Sequence, residues 1–428
     1  RGHCCAKSQS SMHAAYHPDR LRYPVKRTNP KGSDDPGWVR ITLDEAFELS
    51  GQGLGEVVDK YGGQSIFVMC GTSRVWSLGP YQGMKQLFGT PNAHLAYQVC
   101  KGPRHWAGIM TDEMGSPWME GEAEPKVYLQ WGTAVEYSNY DTTNRTISDV
   151  APHATAHICV DPRVTPLSKE ADIWLPLRPG TDGALAWGMV RVLVKEDLVD
   201  HEFIDKWCVG YEELVKYCER FTPEYVEKET GVPAEKMVAA ARMFADGPSA
   251  MQLPGQSVPH QHNGCNNVRA MSLLMALTGN AEKAGASSIA NWPKDYIRWD
   301  EGYTRTFIDE PWFREEKQRK TRIDREFAPI WNEMQVLCSP NNLPEWIEAG
   351  KVRMFCGWGF NVNIWPQPAI YQEAFRKLDF AFAADYFYRP DSHDMLDIVL
   401  PAAMNYERYA PFGSYGPVVA ARRPVKPL

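Results

Sequence analysis

The chain is predicted to be an α/β protein: two αβα, Rossmann-like domains with mostly parallel sheets. Two observations predict it. Short apolar runs end in Gly- or Pro-bearing turns and lead into helical patterns, and this grammar recurs along the chain. The runs are also apolar at successive positions rather than alternating, as expected of strands covered by helices on both faces. The first run is Ser65–Cys70 (SIFVMC), followed by Gly71-Thr72-Ser73. Lys126–Trp131 (KVYLQW) ends at Gly132, and Ala154–Val160 ends at Asp161-Pro162-Arg163. Asp172–Leu177 passes through Pro179-Gly180-Thr181 into the amphipathic stretch Asp182–Lys195. Ser249–Leu253, Val352–Cys356, Leu378–Ala384 and Asp397–Leu400 repeat the pattern, while the polar, aromatic stretch Asn291–Arg325 reads as a long surface insertion.

Composition narrows the class. With 428 residues the chain exceeds one ordinary domain, and 43% hydrophobic with 23% charged residues excludes disordered, collagenous and coiled-coil chains. A net charge of −7 argues against a nucleic-acid-binding surface over the whole chain. No window reaches the roughly 18 apolar residues of a membrane span; the best, Ala184–Val194, contains Arg191. The 10 cysteines include no CxxC pair, so most are expected to be buried and inert. Fifteen tryptophans suit a deep aromatic pocket. The chain starts at Arg1 with nothing resembling a signal peptide before Cys4.

In parallel sheets, ligands bind beyond the carboxyl ends of the strands, which makes Trp131-Gly132, Asp161-Pro162-Arg163 and Gly357-Trp358-Gly359 candidate contacts. Asp161 has the chemistry to bind a ribose, or simply to close a turn. Gly180-Thr181-Asp182 places N–H groups and a hydroxyl at a helix start, suited to a pyrophosphate or to plain capping. No GxGxxG or Walker A sequence is present, which disfavours an ordinary nicotinamide or ATP enzyme. Cys100 precedes Lys101-Gly102-Pro103-Arg104-His105, where cations favour a thiolate and a soft metal; packing is the bland alternative. His260 and His262 have spacing for metal ligation or for loop hydrogen bonds.

Taken in order, these pieces resemble the molybdopterin oxidoreductases of the dimethyl sulfoxide reductase superfamily. The likeness runs from Cys5-Ala6-Lys7 through His17-Pro18-Asp19-Arg20 and Gly37-Trp38-Val39-Arg40 to Cys100-Lys101-Gly102-Pro103. It continues through Trp131-Gly132, Asp161-Pro162-Arg163-Val164-Thr165, Arg178–Leu185, Thr278-Gly279-Asn280, Asp385 and Asp397–Ala402 with Glu407. The resemblance implies that Cys5 is the last ligand of an N-terminal [4Fe–4S] cluster and that Lys7 lies between cluster and pterin. Cys100 is then the protein ligand of molybdenum or tungsten in a bis-(molybdopterin guanine dinucleotide) cofactor. Trp131, Gly132, Asp161, Pro162, Arg163, Thr165, Gly180, Thr181 and Asp182 would bind one dinucleotide. Gly357, Gly359, Asn361 and Asp385 would contact the other. His105, Arg104 and Lys101 are candidates for proton delivery or anionic-substrate binding, with pterin-phosphate binding as the alternative.

The implied organisation is a remnant of the iron–sulfur domain at 1–40, a discontinuous αβα domain from 41–120 and 285–428, and an inserted domain at 121–284. With the C-terminal cap domain absent, the chain is expected to be the central part of a longer catalytic subunit. Ser8 replaces the usual Gly after Lys7, Lys101 stands where formate-oxidising relatives have His, and Gly359-Phe360-Asn361-Val362 replaces Gly-Gly-Asn-Pro. Similarity to catechol dehydroxylases, pyrogallol transhydroxylase and acetylene hydratase implies a redox reaction on a small organic substrate, such as reductive dehydroxylation. Non-redox hydration or hydroxyl transfer and a non-catalytic structural subunit are the alternatives. An iron–sulfur electron-transfer subunit is the expected partner. The compartment is left open between the cytoplasm and export in folded form by a twin-arginine route.

Overall fold

A computed structural model of the chain describes residues 10–71, 87–95, 104, 107, 110–111, 124–134, 153–251, 255–287, 321–334, 338–359, 361–404, 407, 410–413 and 419–422. They belong to two compact units, one within 99–293 and the other within 10–98 and 294–428.

In chain order the second unit opens with a short helix, Ser11–Ala15, followed by two short strands, β1 (Val25–Lys26) and β2 (Val39–Arg40). Helix α1 (Leu43–Tyr61) starts at Thr42, whose hydroxyl accepts the Glu45 N–H. Its buried residues Ala46, Ser50 and Val57 share one face. Ala46 and Val57 pack in one apolar cluster with Ile66, Val68 and Cys70 of β3 (Ile66–Cys70), a strand buried along its whole length. A short strand, β4 (Ala93–Leu95), follows.

The first unit contains β5 (Val127–Trp131), β6 (Ala156–Val160), the short helix α2 (Pro166–Glu170) and β7 (Ile173–Leu175). Next come α3 (Asp182–Lys195), α4 (His201–Trp207), α5 (Tyr211–Cys218), α6 (Pro223–Thr230) and α7 (Ala234–Ala245). Strand β8 (Ser249–Met251) and helix α8 (Gly264–Leu277) complete it. The four strands form one sheet in the order β7-β6-β5-β8, all parallel. Leu129, Trp131, Ile158 and Val160 of this sheet share a core with Leu185, Met189 and Leu193 of α3 and Met271 and Leu274 of α8.

The chain then completes the second unit with α9 (Leu343–Glu348), β9 (Met354–Trp358), α10 (Pro368–Phe375), β10 (Phe380–Asp385), the single turn α11 (Pro390–His393) and β11 (Ile398–Pro401). Its sheet runs β2-β1-β11-β10-β9-β3-β4; the five strands from β11 to β4 are parallel, and β1 pairs antiparallel with both β11 and β2. Ala410–Gly413 and Val419–Arg422 form a separate antiparallel pair.

The α/β class with mostly parallel sheets is therefore observed, and α3 has the expected bounds. The anticipated surface insertion needs a correction at its end. Arg322 and Asp324 are fully buried as a two-pronged ion pair, with Asp324 also accepting the Ser339 N–H, and the Ile323 N–H donates to Asn92. Paired charges in a dry interior mark a docked segment, not a solvated one. Among the described cysteines, Cys70, Cys159, Cys218, Cys338 and Cys356 are buried, Cys208 is half-buried and Cys265 is exposed. Burial holds the Cys356 thiol well above its ordinary range. No helix among the described residues is long and apolar enough to cross a membrane.

Candidate functional site

In the first unit one strand-end residue, Trp131, reaches Asp182 at the start of α3. The buried Trp131 indole at the end of β5 donates its N–H to Asp182 Oδ1 at 2.9 Å, and Gln261 Nε2 donates to Oδ2 at 2.8 Å. Asn267 Nδ2 donates in turn to Gln261 Oε1 at 3.0 Å. One carboxylate thus joins the end of a strand, the start of α3 and the start of α8. Beside it the chain makes a close crossing: the Gly255 N–H reaches the Trp131 carbonyl at 3.0 Å, and the Gly132 N–H reaches that of Val160 at 2.8 Å. A Cβ on Gly255 would lie 1.5 Å from the Gly132 carbonyl oxygen, so only glycine fits.

Asp161, only 2% exposed, closes a turn. Its Oδ1 accepts the Arg163 backbone N–H at 2.8 Å, and the Arg163 guanidinium returns to the same carboxylate at 3.1 Å. Its carbonyl takes the Trp174 indole N–H at 2.8 Å. Pro162 and most of Arg163 are exposed. Thr165 caps α2 reciprocally: its N–H bonds Ser168 Oγ at 2.7 Å and its hydroxyl accepts the Ser168 N–H at 3.1 Å.

Gly180 and Thr181 have a different setting. Gly180 has φ +94, a backbone conformation that L side chains rarely adopt, and no atom stands within 4 Å of where its Cβ would be. The Thr181 hydroxyl donates back to the Arg178 carbonyl at 2.7 Å, and α3 begins without a side-chain cap. This uncapped start, with Gly180, Thr181, Gly183 and Ala184, lines a cleft of about 720 Å³ whose walls also include Trp187, Phe221 and Asn263. Open N–H groups at a helix start and an open glycine turn suit an anionic group, and the volume is that of a small-molecule site. The same cleft is also lined by one cation, Arg269, and two carboxylates, Glu213 and Glu229.

In the second unit, Gly357 is buried in β9, while Gly359 just beyond it donates its N–H to the Ala384 carbonyl at 3.1 Å. Asp385 ends β10, is buried, and accepts the Tyr386 N–H at 2.6 Å. The Arg389 guanidinium bonds Asp385 Oδ2, and His393 Nε2 lies 3.5 Å from the same oxygen. Asn361 accepts the Asn363 N–H at 3.1 Å and the Ser392 hydroxyl at 3.3 Å. Arg389, Ser392 and His393 were not anticipated from sequence. Ser392 and His393 sit on one short turn whose polar residues read as loop chemistry; only their adjacency to the Asp385 strand end is a signal.

Nearby, Trp38 Nε1 donates to the Tyr388 hydroxyl at 3.0 Å, and that hydroxyl donates to Asp394. Burial and Asp394 push the Tyr388 phenol up to about 12. Cys5, Lys7, Cys100, Lys101 and His105 lie outside the described residues, while Arg104 is described and buried. His260 and His262 are exposed on the loop before α8.

Mostly parallel sheets, with the candidate residues at the strand ends, define an α/β protein. The chain belongs to the molybdopterin oxidoreductase family, whose profile matches residues 20–414. It is 50% identical over 206 residues to dopamine dehydroxylase of Eggerthella lenta, covering 48% of this chain and 20% of that protein. It is 32% identical over 277 residues to acetylene hydratase of Syntrophotalea acetylenica, covering 64% of this chain and 38% of that one. The matched segments cover well under half the length of either relative. The solved acetylene hydratase from Pelobacter acetylenicus superposes with a TM-score of 0.84 over 99% of this chain and 61% of that one, at 24% identity, a likeness of fold.

Proposed function

We propose that the protein is part of a bis-(molybdopterin guanine dinucleotide) enzyme of molybdenum or tungsten that reductively dehydroxylates a small organic substrate of the catechol type. The observation that carries this reading is the 50% identity to a dehydroxylase, within a family match spanning most of the chain. When bound, the metal–pterin group supplies a two-electron change at the metal.

The chain's own residues would hold that group. The Cys100 thiolate suits a sulfur-rich, soft metal site. Gly180, Thr181 and the start of α3 would take one pyrophosphate, with Trp131 and Asp182 fixing that turn. Gly132, Asp161, Pro162, Arg163 and Thr165 would frame the same dinucleotide, and Gly357, Gly359, Asn361 and Asp385 the other. Lys101, Arg104 and His105 would bind substrate or move a proton beside the metal. Cys5 would ligate a [4Fe–4S] cluster, with Lys7 between cluster and pterin, and electrons would arrive from an iron–sulfur partner.

The test is anaerobic purification of the full-length protein, metal analysis, and assay of catechol-type compounds with and without a low-potential electron donor. Metal together with donor-dependent loss of a hydroxyl group supports the proposal. Turnover without a donor would favour hydration or hydroxyl transfer, the reading to which the acetylene hydratase relative points. A folded protein without molybdenum or tungsten would indicate a structural subunit.

A further inference from the structure

In the strand order β11-β10-β9-β3-β4, β4 lies on one side of β3, and β9 to β11, which follow it in the chain, lie on the other. The order thus reverses between β3 and β9, the place where open α/β sheets bind their ligands. There the Gly71 N–H reaches the Trp358 carbonyl at 2.8 Å, and a Cβ on Gly71 would lie 2.0 Å from the Gly359 carbonyl oxygen. The Gly359 N–H in turn bonds the Ala384 carbonyl, which brings the end of β10 to the same edge. Asp385 stands at that end, but its carboxylate is spent inside the chain. Its Oδ1 accepts the Tyr386 N–H at 2.6 Å, its Oδ2 accepts Nη1 of the Arg389 guanidinium, and the side chain is 2% exposed. Arg389 is the opposite case. Its backbone N–H is fixed on His393 Nδ1 at 2.9 Å and one guanidinium nitrogen on Asp385. The side chain is nevertheless 36% exposed, and among the described residues its Nε and Nη2 meet no acceptor. The other carboxylates of this turn are engaged elsewhere, Asp391 by the Asn363 amide and Asp394 by the Tyr388 hydroxyl. A guanidinium held at one corner by a buried carboxylate presents the rest of its fork in a fixed direction, and that fork matches two oxygens of a phosphate.

We propose that Arg389 binds the diphosphate of the second dinucleotide through Nε and Nη2, and that Asp385 is the positioning residue that aims it. The inference rests on the reading that this sheet edge holds a dinucleotide, and the test separates the two. Arg389→Gln removes the fork while its amide can still donate to Asp385, so the buried carboxylate keeps a partner. Arg389→Lys keeps the charge without the fork.

The experiment records phosphorus NMR spectra of the full-length protein purified anaerobically, the guanine nucleotide it releases on acid hydrolysis, and its thermal melt. Wild type is expected to release two nucleotides and to show the resonances of two diphosphates. Arg389→Gln is expected to shift the resonances of one diphosphate, or to lose that nucleotide, and to leave the other in place. Asp385→Asn is expected to shift the same resonances and to add nothing when combined with Arg389→Gln. An added shift in the double variant would make Asp385 a direct ligand and overturn its positioning role. Wild type releasing fewer than two nucleotides would sink the dinucleotide reading, and the inference with it. Two nucleotides from wild type and Arg389→Gln alike, with every resonance unmoved or with both diphosphates disturbed, would leave that reading standing and overturn the role of Arg389. If Arg389→Gln does not fold, Arg389→Lys decides: folded protein with unmoved resonances overturns the proposal.

Discussion

His157 shows how one buried side chain can set the acid limit of a unit. Its ring stacks on Tyr128 with centroids 5.0 Å apart, its Nε2 lies 3.2 Å from Gln130 Oε1, and burial lowers its pKa from 6.5 to about 4. The native ring thus stays neutral where the unfolded one would protonate, so the unfolded state binds the extra proton as pH falls below about 6.5. Stability is intact above that pH and declines towards about 4, by an amount on the order of 3 kcal/mol from this group. Thermal melts of the full chain should therefore fall from pH 7 to pH 5, and His157→Gln should flatten that slope; an unchanged slope would discount the residue. Asp182 is a second such case. Replacing it with Asn puts an NH₂ opposite one of two donors, Trp131 or Gln261, and should cost about 1–3 kcal/mol. The midpoint of urea unfolding measures this, and a shift within error would show that the pair is dispensable.

At the level of elements, the parallel strands and α3 are written plainly in the sequence, because burial on both faces leaves little but apolar residues in β3, β5 and β9. The edge strands β1, β2 and β4 are not. Two or three residues carry no periodicity; β1 forms on the edge that β11 offers, and β2 pairs in turn with β1. The site was legible to a similar extent. Glycine and aspartate at strand ends announce a ligand-binding edge, but the carboxylate of Asp161 spends its bonds on its own turn, and the His393 turn gives no pattern at all. Its contacts with Asp385 and Arg389 arise only when the chain has folded back on β10. The crossing of Gly132 and Gly255 yields a sharper expectation. Gly255→Ala drives a methyl group against a carbonyl oxygen, and the rigid backbone on both sides can yield only by displacing the end of β5. This variant should be recovered as insoluble or protease-sensitive protein, whereas soluble, wild-type-like yield would contradict the described crossing.

At the scale of the whole molecule, the proposed function places the Cys100 thiolate on the metal. Cys100→Ser should replace a sulfur by an oxygen in the metal's coordination shell, read by X-ray absorption, and lower turnover at least tenfold, while leaving circular dichroism unchanged. An unchanged absorption spectrum would mean that another residue ligates the metal. The pairing of β3 with β9 has a further consequence, for synthesis. Ile66 must wait for Met354 to leave the ribosome, whereas all four strands of the other sheet emerge between Val127 and Met251. During translation the intervening unit can reach its native state first, while β3, with only the three-residue β4 to pair with, keeps its β9 edge open and in need of chaperone protection.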